Sequence, residues 1–260
     1  MQMIARNRTF RRVSTKNLIL TIAITVTMGI SSRQSVHAGS SGSTASPAGS
    51  ASVKGTVSFT GPAPAAKLIN MAADPTCAKQ HANAVLTQDV VTDKKGDLEN
   101  VIVFVSDGLG DRTFDPPAQP VVIEQKGCLY EPHVLAMQAN QPLEVVNDDP
   151  VMHNIHPMPN NNREWNKAEV PGSKIDESFP RPEIAIPVKC NLHPWMRGYI
   201  AVFKHPYFVV KGKDGSFDLS NLPPGSYTLT AWHEKLGTMT QKITVGANET
   251  KNIDFVFKPM

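Results

Sequence analysis

At 260 residues, with 40% hydrophobic and 7% aromatic content, the chain is long enough for one large or two small domains with their own cores, which excludes a disordered tail. Its formal charge of +3 comes from the first 38 residues, which hold six basic residues (Arg6, Arg8, Arg11, Arg12, Lys16 and Arg33) and no acid; without them 20 basic residues face 23 acidic ones. A binder of phosphate backbones needs a basic surface, so nucleic acid is excluded as a partner.

The N-terminus has the three parts of a secretory signal: a basic start, an apolar run from Leu18 to Ile30, and small residues at Val36-His37-Ala38 before Gly39. Cleavage is expected after Ala38, which makes 1–38 a signal peptide and the mature chain periplasmic or secreted. The apolar run is shorter than the roughly 20 residues of a bilayer span, so no membrane span is expected after processing. Arg11-Arg12 hints at twin-arginine export, but Val13-Ser14-Thr15 lacks the apolar pair that should follow. Residues 39–52 are rich in Gly, Ser and Ala and read as a flexible linker.

From Val53 onward, short alternating or β-branched runs are separated by Gly, Pro, Asn and Asp. They are Val53–Phe59, Asn100–Val105, Val121–Glu124, Leu143–Val146, Glu183–Lys189, Tyr199–Phe203, Ser226–Trp232, Gln241–Val245 and Asn252–Phe257. Only the stretch around Cys77 to Asn83 suits a helix. Strands at this spacing predict an all-β fold made of sandwiches. Export puts the three cysteines in an oxidising compartment, where pairing leaves one over. Cys77 and Cys128 stand in plain contexts and are expected to form a disulfide, leaving Cys190 free for chemistry. The alternative is three buried thiols.

Cys190 opens the segment Cys190-Asn191-Leu192-His193-Pro194-Trp195-Met196, which places a thiolate, an imidazole and a thioether in one short loop between two strand-like runs. Such a loop can wrap one ion. Two imidazoles, one thiolate and a weak thioether form the blue-copper donor set, in which soft sulfur and borderline nitrogen suit both oxidation states of copper. The missing imidazole must come from another strand, and Val151-Met152-His153-Asn154-Ile155-His156 supplies it.

A His-Asn pair upstream of Cys-x-x-His-Pro-aromatic-Met-Arg-Gly resembles the cupredoxins, and within them the amicyanins, over roughly Val121 to Phe203. The resemblance implies a Greek-key β-sandwich with one mononuclear type 1 copper ion held by His153, Cys190, His193 and Met196. Asn154 would tie the two ligand loops together. It further implies a one-electron carrier rather than an enzyme, with no small-molecule substrate. A redox protein partner would reach the copper through an apolar patch around His193, bordered by Pro194, Trp195, Met196 and Met152 or Met158.

A second signature lies in the tail, from Asp214-Gly215-Ser216-Phe217-Asp218-Leu219 through Pro223-Pro224-Gly225 to Tyr227-Thr228-Leu229. It resembles the carboxypeptidase regulatory-like domain, a transthyretin-like β-sandwich. This implies a split sandwich, 53–116 and 206–260, with the cupredoxin-like domain, 117–205, inserted in it or packed beside it. Peptidase chemistry does not carry over, because no His is followed by Glu three residues later.

The other histidines read more plainly. His156, three residues past His153, points to the opposite face of a strand. His133 reads as structural, and His233-Glu234 as a turn or inter-domain contact. His81 and His205 have no donor cluster. Trp195 reads equally as core packing or as a rim around His193. Two functions compete with the electron carrier: a copper-handling protein that stores or delivers the ion with Met152, Met158 and His156 as transfer ligands, and a structural or binding sandwich in which the metal is a staple.

Overall fold

The computed structural model describes residues 49–211 and 215–259; the signal segment 1–38, linker residues 39–48 and Asp214 of the tail signature lie outside the described residues. Strand β1 (Ala51–Phe59) leads into a long excursion carrying the short helix α1 (Pro75–Lys79), and the chain returns in β2 (Ile102–Asp107). Next come β3 (Val121–Lys126), β4 (Leu129–Glu131), β5 (Val134–Gln138), β6 (Leu143–Asn147), β7 (His153–Pro157), β8 (Lys167–Glu169), β9 (Lys174–Glu177), β10 (Glu183–Lys189) and β11 (Arg197–Phe203). The tail forms β12 (Phe208–Val210), β13 (Ser216–Leu222), β14 (Gly225–His233), β15 (Gly237–Val245), β16 (Thr250–Asn252) and β17 (Phe255–Phe257). The all-β class predicted from the short alternating runs is the class observed.

The strands make four sheets in two layered pairs. In the first pair, β13-β1-β16, with β17 also on β1, shares a core with β12-β2-β14-β15. Val53, Val57, Val103, Leu229 and Phe255 are sealed in that core. In the second pair, β5-β11-β10-β7-β8 shares a core with β4-β3-β6-β9 through Ile123, Val145, Ile155, Ile186 and Ile200. Each such fully buried aliphatic side chain stabilises the fold by roughly 1.5–3 kcal/mol. A third apolar cluster, in which Ile102 and Phe104 meet Val134, Ala136, Ala201 and Phe203, joins β2 to β5 and β11. Phe104 and Phe203 pack there at 4.9 Å between ring centroids.

The linker expected to run through Ser52 ends sooner, because Ala51 and Ser52 already pair with the tail. The helix expected from Cys77 starts at Pro75, since the Asp74 side chain accepts the Thr76 and Cys77 N–H groups and caps it. The run Asn252–Phe257 is broken into β16 and β17. Asp254 turns out of the ladder at the break to accept hydrogen bonds from the Thr56 backbone and hydroxyl, each at 2.8 Å. Among the described residues no helix is long and apolar enough to cross a membrane.

Candidate metal centre

The centre forms where β7 meets the loop between β10 and β11. His153, the first residue of β7, is fully buried; β7 pairs with β10 through His156↔Lys189, which brings the start of β7 beside Cys190. The loop after Cys190 is closed by its own backbone: Cys190 N–H donates to Met196 O at 3.0 Å, and Met196 N–H to His193 O at 2.9 Å. Asn154 ties the two segments together. Its Oδ1 accepts the Asn191 N–H at 2.7 Å and lies 3.4 Å from Cys190 Sγ, while its Nδ2 donates to Asn166 at 2.7 Å.

Donor atoms of His153, Cys190 and His193 lie within 4.8 Å of one another, and all three residues are buried. The Nδ1 atoms of the two histidines face each other at 2.9 Å, and Cys190 Sγ is 3.7 Å from His193 Nδ1. Ligand bonds of about 2.0 Å to nitrogen and about 2.3 Å to sulfur at tetrahedral angles separate two nitrogens by about 3.3 Å, and sulfur from nitrogen by about 3.5 Å. The observed spacings are within a few tenths of an ångström of those values. Met196 is completely buried and packs in the same apolar cluster as Cys190. His156 lies apart from this group, bonded to Asn191 and Glu164.

Each imidazole is held from behind by a carboxylate. His153 Nε2 meets Asp149 Oδ2 at 2.7 Å, and His193 Nε2 meets Asp74 Oδ2 at 3.2 Å. With both Nε2–H groups donated outward, both Nδ1 lone pairs point into the centre. Two lone pairs at that distance repel unless a proton or a cation lies between them, so the donors fit a cation.

Asp149 is held in turn by the β3–β4 hairpin. Gly127 and Cys128 both take positive φ, the two-residue turn that matches strand twist, and their N–H groups donate to Asp149 Oδ1 at 2.6 Å and Oδ2 at 2.7 Å. Burial alone would raise the Asp149 pKa, but His153 and these two N–H bonds hold it below the ordinary carboxylate value. The same balance acts on the ligands. Burial opposes charge on Cys190 and His153, yet their mutual interaction and Asp149 push the thiol down and the imidazole up. Glu169, opposite His153 across the β7–β8 ladder, is raised to about 7 by burial and takes a hydrogen bond from Gln125.

The disulfide expected between Cys77 and Cys128 is present, with Cα atoms 5.6 Å apart, and Cys190 is free. The Trp195 ring lies 5.2 Å from that of His193 and donates through Nε1 to Cys128 O at 3.2 Å, so it both packs and borders the histidine. The surface differs from expectation. The His193 edge is covered by Asp74, and Met196 is buried, so neither forms an open apolar patch. Exposed apolar groups at the mouth come from Met152 and Leu192, beside a 320 Å³ cleft that Asp74, His193 and Trp195 also line. His133 and Glu234 meet at 2.5 Å, which makes the His233-Glu234 segment a contact between the strand pairs.

Asp74 and Asp149 are the functional residues that sequence reasoning missed. Asp149 stands four residues before His153, and Asp74-Pro75 is legible as a helix cap. Neither spacing reveals a ring nitrogen as the partner.

A family model for polysaccharide lyase family 4, domain II, matches residues 195–253, less than half of the chain. That match falls on the tail, and nothing in these comparisons supports the carboxypeptidase regulatory-like resemblance expected there. No curated protein matches the sequence. Among solved structures, a copper-containing nitrite reductase from Thermus scotoductus SA-01 aligns at 21% identity and TM-score 0.32, over 38% of this chain and 25% of the reductase. The chain therefore spans about a quarter of that enzyme. A purple cupredoxin from Nitrosopumilus maritimus aligns at 22% identity and TM-score 0.28, over 31% of this chain and 97% of its own. A mutant amicyanin in the Cu(I) form aligns at 17% identity and TM-score 0.30, over 38% and 97%.

Proposed function

We propose that this chain is an exported type 1 copper protein, periplasmic or secreted, that carries single electrons between redox partners and is not an enzyme. His153, Cys190 and His193 would hold the ion, with Met196 as the weak axial donor. The observation that carries the reading is the pair of Nδ1 atoms facing each other beside the Cys190 sulfur, with both Nε2 atoms engaged by carboxylates. A soft thiolate with two imidazoles suits copper, whereas structural zinc sites use no thioether.

Copper, when bound, would supply one-electron exchange between Cu(I) and Cu(II). The chain's own part is to keep the donors still. The Cys190–Met196 and His193–Met196 backbone bonds close the loop, and Asn154 fixes it to β7, so a change of charge meets a frame already in place. A partner protein would approach the rim at the exposed Met152 and Leu192.

Copper-loaded oxidised protein is expected to show an intense visible thiolate-to-copper charge-transfer band that Cys190→Ala lacks. Stoichiometric copper uptake by the wild type without that band refutes the reading.

A further inference from the structure

We infer that Asp74 is a positioning residue of the metal centre, delivered from outside the sandwich that carries the ligands: its carboxylate accepts the His193 Nε2–H and so fixes the imidazole that faces the ion. This role rests on the copper reading above and adds to it a residue that lies in the excursion between β1 and β2.

The carboxylate is aimed by the chain's own contacts. Asp74 Oδ1 is spent on the cap of α1, accepting from Thr76 N–H at 2.8 Å and Cys77 N–H at 3.3 Å, which leaves Oδ2 for His193 Nε2 at 3.2 Å. Helix α1 cannot drift, because Cys77 is bonded to Cys128 and His81 Nε2 lies 2.7 Å from Gly127 O. Gly127 and Cys128 also supply the two N–H groups that grip Asp149, the carboxylate behind His153. One turn therefore anchors both carboxylates, and the disulfide crosses between them: Cys77 groups with Asp74 and His193, and Cys128 with Asp149 and His153.

Two consequences follow. Donation of Nε2–H to a carboxylate selects the tautomer with a free Nδ1 and makes that nitrogen a stronger donor. The added negative charge favours the doubly charged ion over the singly charged one. Loss of such a partner lowers metal affinity by about 10–100-fold. Asp74 is partly exposed, its side chain at 28%, so water screens it and the smaller figure applies. Where that tenfold loss falls on Cu(II), the more highly charged ion, and not on Cu(I), the one-electron potential rises by about 59 mV.

Three variants separate this role from helix capping. Asp74→Ala removes both the cap and the ring contact. Asp74→Ser keeps a good cap but is too short for His193, and Asp74→Asn keeps an acceptor without the charge. Nitrogen-15 NMR of the metal-free protein is expected to find His193 as the Nε2–H tautomer in the wild type and to lose that preference in Asp74→Ala and Asp74→Ser. Voltammetry of the copper-loaded forms is expected to give a potential about tenfold in equilibrium constant above wild type for both variants, with Asp74→Asn between, while the charge-transfer band persists in all. If Asp74→Ser matches the wild type in tautomer and potential, Asp74 is only a cap and the inference is overturned. A wild type lacking the band after copper uptake overturns the copper reading instead, and the metal-free tautomer measurement still decides whether Asp74 sets the ring.

Discussion

Replacing both half-cystines, Cys77→Ala with Cys128→Ala, tests how the excursion that carries Asp74 is held. The bridge joins residues 51 apart in sequence. Closing a loop of that length removes about 14 cal/mol/K of entropy from the unfolded chain, or about 4 kcal/mol at 25 °C. The two sulfurs also fill a small apolar cluster with Met71, against which Ile69, Val85, Leu129 and Trp195 pack, so their removal leaves space that adds to the loss. Urea unfolding of the metal-free oxidised protein is expected to show the double variant less stable by about 4 kcal/mol. Its denaturant slope should be steeper, because the uncrosslinked unfolded chain exposes more surface. Single replacements should cost nearly as much as the double, since either one opens the loop. A double variant within about 1 kcal/mol of wild type, at an unchanged slope, refutes the loop-closure reasoning.

Gly198 lies where β11 passes His133: a Cβ there would sit 2.8 Å from the His133 carbonyl oxygen, which also accepts the Tyr199 N–H at 2.9 Å. Gly198→Ala is therefore expected to lower stability by about 1–3 kcal/mol, and an unchanged thermal midpoint counts against the close approach. His233 is buried, its Nε2 has no hydrogen-bond partner among the described residues, and burial pushes its pKa down to about 4. The unfolded chain protonates this ring near pH 6.5 and the folded one only near 4, so the unfolded state binds more protons between those values and stability falls as pH drops from about 6.5 to 4, by up to about 3 kcal/mol. His233→Asn keeps an acceptor for the Lys235 N–H and does not titrate. It is expected to flatten that acid loss, and equal losses in variant and wild type over the window would rule the ring out as its source.

The strands legible in the sequence were those with one buried and one open face, such as Glu183–Lys189, whose predicted and observed limits agree. Strand β5 escaped because all five of its side chains are buried, which erases the alternation. Strand β7 lacks an alternating run of its own, and only the need for a second imidazole on a separate strand marked it: His153 and Asn154 are polar yet buried, which the site explains. Three-residue strands such as β4 and β8 are too short to carry a period. For the centre, the spacing Cys190-x-x-His193 and the upstream His153 identified residues that the fold brings together, because a tight loop forces nearby side chains into one volume. Asp74 and Asp149 stayed hidden, since their partners are fixed by a turn and a disulfide distant in sequence from the ligands.

That dependence on distant chain bears on why the two strand pairs share one polypeptide. The excursion holding Asp74 is tied at its ends to β1 and β2, whose side chains fill the first core, and in its middle to Cys128 of the second pair. The disulfide keeps Asp74 beside His193, so any movement between the pairs would strain the ends of the excursion. Ile102 and Phe104 packed against Ala201 and Phe203, together with the His133–Glu234 contact, oppose such movement from the other side. The excursion that leaves the first sandwich thus brings one carboxylate to His193, without supplying any residue of the proposed ligand set.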